Sequence, residues 1–243
     1  MLHAMLRAAA RVFYAQEVLA DSPVAYWRLG ESSGTTAVDE VGSNDGTYVN
    51  SPTLGVTGAL AGDTDTAVAF NGSTERVIAG SVTTTPETFE VWFKPTAEIT
   101  TATGVQCVFS PGSGSGVDGI YFGKITGSIS GELITVVSNF PGATSQHAWT
   151  PSGGETLTSD WHHLAVVWTG TTYKFYLDGV ERTPTATSYP PVLYDASNVW
   201  IGARSYNAGA GSVSFDGTLD EVAIYDFALS AARIEAHYNA GTS

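Results

Sequence analysis

Residues 211 to 241 read GSVSFDGTLDEVAIYDFALSAARIEAHYNAG, and the apolar period changes once along them. In Leu219-Asp220-Glu221-Val222-Ala223-Ile224-Tyr225-Asp226, Val222 and Ile224 fall on alternate positions, which predicts a strand with at least one face in a core. Ser230 then occupies an N-cap position. Leu229 before it and Ile234 at the fourth helical position make a hydrophobic staple, and Gly241 stands beyond the predicted last turn. The stretch therefore reads as a strand running into a short C-terminal helix.

Working back from there, the chain reads as strand after strand. Only 14% of residues are charged, and Thr, Ser and Val recur in short runs between turn signals, a composition that favours short strands over helices. Asn71-Gly72-Ser73 between residues 66–70 and 76–79, and Asp178-Gly179 after residues 173–177, suit tight turns with positive φ. Residues 120–125 and 133–137, separated by Thr126-Gly127-Ser128, have the spacing of another hairpin. In Phe89-Glu90-Val91-Trp92-Phe93-Lys94 the alternation puts Phe89, Val91 and Phe93 on a core face and Glu90, Trp92 and Lys94 on a half-exposed one. Longer connections are expected at 38–46, 110–119, 140–159, 184–197 and 205–217, and any site is expected there. No repeat of fixed period is visible.

Four motifs, in order, carry a family resemblance: AYWRLGE at 25–31, DWHHLAVVW at 160–168, YKFYLDGV at 173–180, and VWIG at 199–202, ahead of the closing segment quoted above. Together they resemble laminin-G-like jelly rolls of the concanavalin A-like lectin and glucanase superfamily. The resemblance implies an opening strand, a central strand, the hairpin that follows it, and a later strand of the same sheet. The fold expected is all-β, a two-sheet antiparallel jelly-roll sandwich over residues 21–243. An N-terminal helical arm over 1–20 and a short C-terminal helix flank it. Such a fold hosts lectins, enzymes and adhesion modules alike, so function must come from the site.

Ten Lys and Arg against 24 Asp and Glu give a formal charge of −14, which repels phosphate backbones and anionic lipid, so neither nucleic acid nor membrane is an expected partner. Cys107 is the only cysteine and lies in the apolar run Val105–Phe109, which excludes an intrachain disulfide. Arg7, Arg11, Gln16 and Glu17 interrupt the N-terminal segment, so no secretion signal and no membrane span are expected. A lectin-like domain without an export signal suggests release inside a virus particle. Leu2, Met5, Leu6, Ala9, Val12 and Phe13 recur at helical spacing, predicting a helix over 2–19 that ends before Asp21-Ser22-Pro23. That stripe either packs on its own sandwich or docks on a neighbouring subunit.

Glucanases of the resembled superfamily carry Glu-x-Asp-x-x-Glu on one strand, and no such motif occurs here. Asp63-Thr64-Asp65 and Asp220-Glu221 read as solvated carboxylates, the latter pair pointing to opposite faces of a strand. His162 and His163 likewise face opposite ways, and His3, His147 and His237 lie far apart, which gives no zinc site. Gly112-Ser113-Gly114-Ser115-Gly116 has no strand-to-helix context for a nucleophile elbow.

Calcium has a positive argument, because Glu31, Asp39, Asn44 and Asp45 offer several hard oxygens in one early loop. The resemblance adds that such an ion ties this loop to the C-terminal strand, which implies Asp39 and Asp220 as shared ligands. The alternative is that these carboxylates cap turns or are solvated. For sugar binding, Tyr121, Phe140, Trp149, Tyr189, Tyr194 and Tyr206 lie in or beside expected loops and are candidates for a stacking platform, with core or rim packing as the alternative.

The reading is of a non-enzymatic structural or adhesion protein. Residues 14–31 resemble the openings of laminin-G-like domains in bacteriophage tail-associated proteins, which implies a virion component, a tail or capsid appendage. Its expected partners are other virion proteins or copies of itself through the arm, and cell-surface glycans. The alternatives are a carbohydrate-binding module of a secreted bacterial protein and a calcium-dependent adhesion domain.

Overall fold

A computed structural model describes residues 13–82, 87–111, 119–123, 133–140, 143–149, 155–184, 186–188, 198–204 and 213–243. They form two antiparallel sheets stacked as a sandwich, with two helices on the outer face of the first. The first sheet runs β14 (Val180–Arg182), β13 (Tyr173–Leu177), β12 (His162–Trp168), β7 (Thr88–Pro95), β17 (Asp216–Tyr225), β5 (Thr66–Asn71), β4 (Thr53–Thr57), with β1 (Ala25–Trp27) also paired to β17. The second runs β15 (Ala186–Ser188), β11 (Ala143–Trp149), β10 (Ile134–Phe140), β9 (Gly119–Phe122), β8 (Gln106–Pro111), β16 (Val199–Ile201), β6 (Arg76–Ala79), β3 (Gly46–Val49), β2 (Thr36–Ala37). The expected jelly-roll sandwich is what the chain forms.

Strand alternation builds two apolar layers. Phe89, Val91 and Phe93 of β7, Leu164 and Val166 of β12, and Val222 and Ile224 of β17 point between the sheets, against Phe109, Ile120, Phe122 and Ile201 of the second sheet. The opposite face of the same strands does not meet solvent. Trp92, Ala165, Val167, Ala223 and Tyr225 are buried there under α1 (Tyr14–Ala20) and α2 (Ala231–Thr242), which contribute Tyr14, Val18 and Ile234. The face read as half exposed is thus a second core as far as Trp92, and only Lys94 at its end is exposed.

Helix α2 begins as expected, with the Ser230 side chain accepting from the Arg233 N–H at 3.3 Å and Leu229 and Ile234 buried in one cluster. It does not stop at Gly241. The residue lies inside the helix because the Trp92 ring packs against it, where an added Cβ would come within 2.5 Å of the indole.

Three further connections differ from expectation. Asn71-Gly72 does not close a hairpin but turns the chain from β5 in the first sheet to β6 in the second. Strand β16 belongs to the second sheet rather than to that of β12 and β13, and β11 occupies much of the stretch expected to be a loop at 140–159. By contrast, Asp178-Gly179 makes the expected hairpin between β13 and β14, with φ of 53° and 74°, and β9 pairs with β10 as expected.

Of the predicted helix over 2–19, the described part is α1, which ends at Ala20 before Asp21. Leu2, Met5, Leu6, Ala9 and Val12 lie outside the described residues, and Phe13 sits at the N-cap, 41% exposed rather than part of a buried stripe. Tyr14 and Val18 pack on the chain's own sandwich. Tyr14→Ala removes a fully buried ring and is therefore expected to cost about 3–5 kcal/mol in urea unfolding. A Tyr14→Ala chain as stable as the parent would show that α1 is not part of this core.

Candidate functional site

Residue 28 organises one end of the sandwich. Arg28 follows β1 and donates to Glu221 Oε1 from Nε at 3.0 Å and from Nη2 at 2.8 Å, while Nη2 also lies 3.0 Å from Asp63 Oδ2 and from Asp65 Oδ2. Tyr26 donates its hydroxyl to the other Glu221 oxygen. An irregularity between Asp220 and Ala223 makes this possible: Leu219 and Val222 both point into the core, and the two acidic residues between them do not. Glu221 takes a left-handed backbone, φ 54°, rare for a non-glycine residue and held here by its side-chain partners.

These carboxylates are not solvated, as adjacent acids at a strand start were expected to be. Asp220 and Glu221 are almost wholly buried. Burial pushes the Glu221 carboxyl up to about 7 against the pull of Arg28, and burial followed by the neighbouring Glu221 raises Asp220 as well. Asp220 Oδ2 accepts from the Ala59 N–H at 2.8 Å, and Oδ1 is buried without a hydrogen-bond partner. An open pocket of about 250 Å³ adjoins the cluster, lined by Arg28, Gly30, Glu31, Val38, Glu40 and Asp65.

The residues expected to hold calcium are mostly engaged with one another's loop. Asp39 accepts from the backbone of Tyr26 at 2.9 Å, of Val41 at 3.2 Å and of Asn44 at 3.1 Å, and from Asn44 Nδ2 at 3.2 Å. Asp45 accepts from the Asp39 N–H at 2.9 Å, and Glu31 from Val38 N–H at 2.8 Å and Tyr48 O–H at 2.6 Å. Asp39 and Asp220 share no hydrogen-bond partner. Asp39 caps its own turn while Asp220 faces residue 59, and among the described residues no three His, Cys, Asp or Glu side chains assemble as a metal-holding group. The turn-capping alternative describes Asp39, while Asp220 Oδ1 is buried without a hydrogen-bond partner.

The sugar platform expected from loop aromatics does not form from Tyr121 and Trp149. Both lie on strands, at 2% and 5% exposure, Tyr121 beside Cys107 and Trp149 in the main core. Tyr189, Tyr194 and Tyr206 lie outside the described residues, as does the side chain of Phe140. Trp200 on β16 is a half-buried aromatic on the face opposite the core residues Val199 and Ile201. The alternation Val199-Trp200-Ile201 carried that signal.

A second polar cluster lies under the helices and was invisible as spacing. Glu90 on β7 accepts from His163 Nε2 at 2.6 Å, from His237 Nδ1 at 3.0 Å and from the Tyr225 hydroxyl at 3.2 Å. His237 Nε2 lies 3.0 Å from Asp21, which also receives Arg233 Nε at 2.7 Å. A carboxylate at each ring nitrogen favours the imidazolium form of His237, and Arg233 Nη2, 3.5 Å from Nε2, opposes it. Burial works against that charge, and Glu90 followed by Asp21 outweighs it, raising the His237 value. Glu90 in turn is desolvated yet held well below the usual carboxylate range, chiefly by His237.

Comparison with known proteins agrees with this architecture. Domain 4 of AbnA, an extracellular arabinanase of Geobacillus stearothermophilus solved with arabinotriose, superposes with a TM-score of 0.59 at 20% identity, over 89% of this chain and 98% of that domain. The Trypanosoma rangeli sialidase superposes at 0.58 with 12% identity over 88% of this chain, which spans 32% of the sialidase's length. No curated protein sequence matches. The model of the laminin-G-like family described as concanavalin A-like lectin/glucanases superfamily matches residues 62–235, most of the chain and the sandwich from β5 to β17, so this protein belongs to that family.

Proposed function

We propose that the chain is a non-enzymatic, lectin-like surface module that holds glycans and is displayed on a bacteriophage particle as a tail or capsid appendage. What carries the non-enzymatic part is the state of the carboxylates. Glycoside hydrolysis needs an acid and a second carboxylate roughly 5 to 10 Å apart across an open cleft. Here Glu221 is taken by Arg28 and Tyr26, and Glu90 by two histidines beneath the helices. The likeness to domain 4 of AbnA supports glycan holding. The placement on a particle rests on the resemblance of residues 14–31 to phage openings and on Phe13 and Leu19, apolar side chains that α1 leaves 41% and 45% exposed for other virion proteins or a second copy. The charge of −14 argues against nucleic acid, and no described helix is long and apolar enough to cross a membrane.

A second reading, a carbohydrate-binding module of a secreted bacterial protein, is favoured by the coverage of 98% of a domain from an extracellular enzyme. In either setting calcium is a proposed structural ion supported only by the unpartnered Asp220 Oδ1, since the described carboxylates do not gather into a metal-holding group. The test is a glycan array probed with the purified chain, with calcium and with chelator, followed by assay of bound glycans for new reducing ends. Binding without turnover is the expected result. Turnover that disappears on substituting one carboxylate would defeat the non-enzymatic reading, and no binding to any glycan would defeat the lectin reading. Signals and melting temperature identical with calcium and chelator would remove the metal. Presence of the chain in purified particles separates the two settings.

A further inference from the structure

The outward face of the second sheet holds a stack that the acidic cluster does not account for. Strand register sets Thr47, Ile78, Trp200 and Ser110 in one row across β3, β6, β16 and β8. The row lies on the face opposite Val77, Ala79, Val199 and Ile201, which belong to the core. Arg76, two residues before Ile78 on the same face, places its guanidinium carbon 4.6 Å from the Trp200 ring centroid. Its Nη1 donates to the Thr74 carbonyl at 2.7 Å, an oxygen that Asn50 Nδ2 also reaches at 2.9 Å, and its Nε is buried without an acceptor.

No carboxylate answers this cation among the described residues. Arg28 and Arg182 lie 3.0 Å and 3.5 Å from one, and Arg233 lies 2.7 Å from Asp21. The adjacent Glu75 instead accepts from the Asn71 N–H at 2.8 Å. The electrostatics follow suit: burial alone acts on Arg76 and lowers its value. At Arg28 burial is outweighed by Glu221, and at Arg233 bonds to Asp21 and Glu17 raise it. Arg76 thus differs from Arg28, Arg182 and Arg233 in having no carboxylate partner among the described residues, which leaves its guanidinium to be answered by an anion from outside. Stacking on the indole and the bond to Thr74 fix the plane of the fork, which matches a carboxylate in a bidentate way, while the indole offers an apolar surface for the C–H side of a sugar ring.

We infer that Arg76 and Trp200 form a subsite for a carboxylate-bearing sugar, a uronic or sialic acid residue, whose carboxylate Arg76 bonds while Trp200 packs against its ring. The subsite rests on the glycan-holding reading and names its ligand class. The test uses the full chain with two probe pairs by calorimetry, tetragalacturonate and sialyllactose, each beside its neutral methyl ester. At least one acid is expected to bind roughly tenfold or more tighter than its ester. Arg76→Gln is expected to abolish that preference, Arg76→Lys to keep part of it, and Trp200→Ala to weaken acid and ester together. Arg182→Gln, which alters a second arginine stacked on a tryptophan, is expected to change nothing. Melting curves check that each variant is folded, and Trp200→Phe stands in should Trp200→Ala fail to fold. Equal binding of acid and ester in both pairs, or a preference that survives in Arg76→Gln, overturns the subsite. If neutral glycans still bind on the array, the lectin reading stands without it; if no glycan binds, both fall.

Discussion

Glu90→Ala is expected to destabilise the chain by about 3–5 kcal/mol, because it removes the anion between His163 and His237 and leaves the imidazolium in a buried site with one carboxylate fewer. The measurement is urea unfolding at neutral pH, and a midpoint unchanged from the parent would show that the buried charges contribute nothing. The pH dependence gives a second check. His237 titrates higher folded than its unfolded value of about 6.5, so its contribution is complete below that value and is lost as pH rises through the folded one. Glu90 titrates lower folded than unfolded, so its contribution is present above about 4.3 and fades as pH falls below it. Taken alone, this cluster should make stability fall as pH drops below about 4.3 and as it rises above about 6.5, and Glu90→Ala should flatten both limbs.

Arg28→Met should have an effect of similar size, about 3–5 kcal/mol, since it leaves the buried Glu221 without its cation and Asp63 and Asp65 facing one another. Here the sign of the pH effect reverses. Glu221 has a folded value near 7, above its unfolded one, so the folded state holds the extra proton and stability falls as pH rises from about 4.3 through 7. Without Arg28 that fall should extend to higher pH, because the cation no longer holds the folded value down. A variant whose stability is independent of pH between 4 and 8 would show that Glu221 is not the group being titrated.

The strands were legible where one face decides their period. Val222 and Ile224 alternate because both fill the space between the sheets, and Ser230 caps α2 through a bond three residues away. What sequence could not show is what covers the other face. Glu90, Trp92 and Lys94 alternate like any half-exposed row, and the cover that buries the first two comes from Tyr14 and Ile234, far away along the chain. The same holds for the polar clusters. His237 and Glu90 are 147 residues apart, and Arg28 and Glu221 are 193 apart, so no spacing announces either. Asn71-Gly72 shows a different limit: its composition specifies a reversal of direction and not which sheet receives the chain. Trp149 was misplaced because β11 lacks the clean alternation that marks β16, and Tyr121, on a strand that was read as one, is covered beside Cys107, which its place in the sequence does not show.

Both helices rest on the first sheet, and the stack of Arg76 on Trp200 lies on the far side of the second. The polypeptide thus enters and leaves the sandwich on one broad side, with two sheet thicknesses, about 10 Å between backbones, separating it from the opposite one. Anything joined to the helical side holds the domain like a shield by its inner grip. If the proposed subsite holds a glycan, it would face away from whatever joins the helical side, and copies arrayed side by side would offer many such faces in one direction.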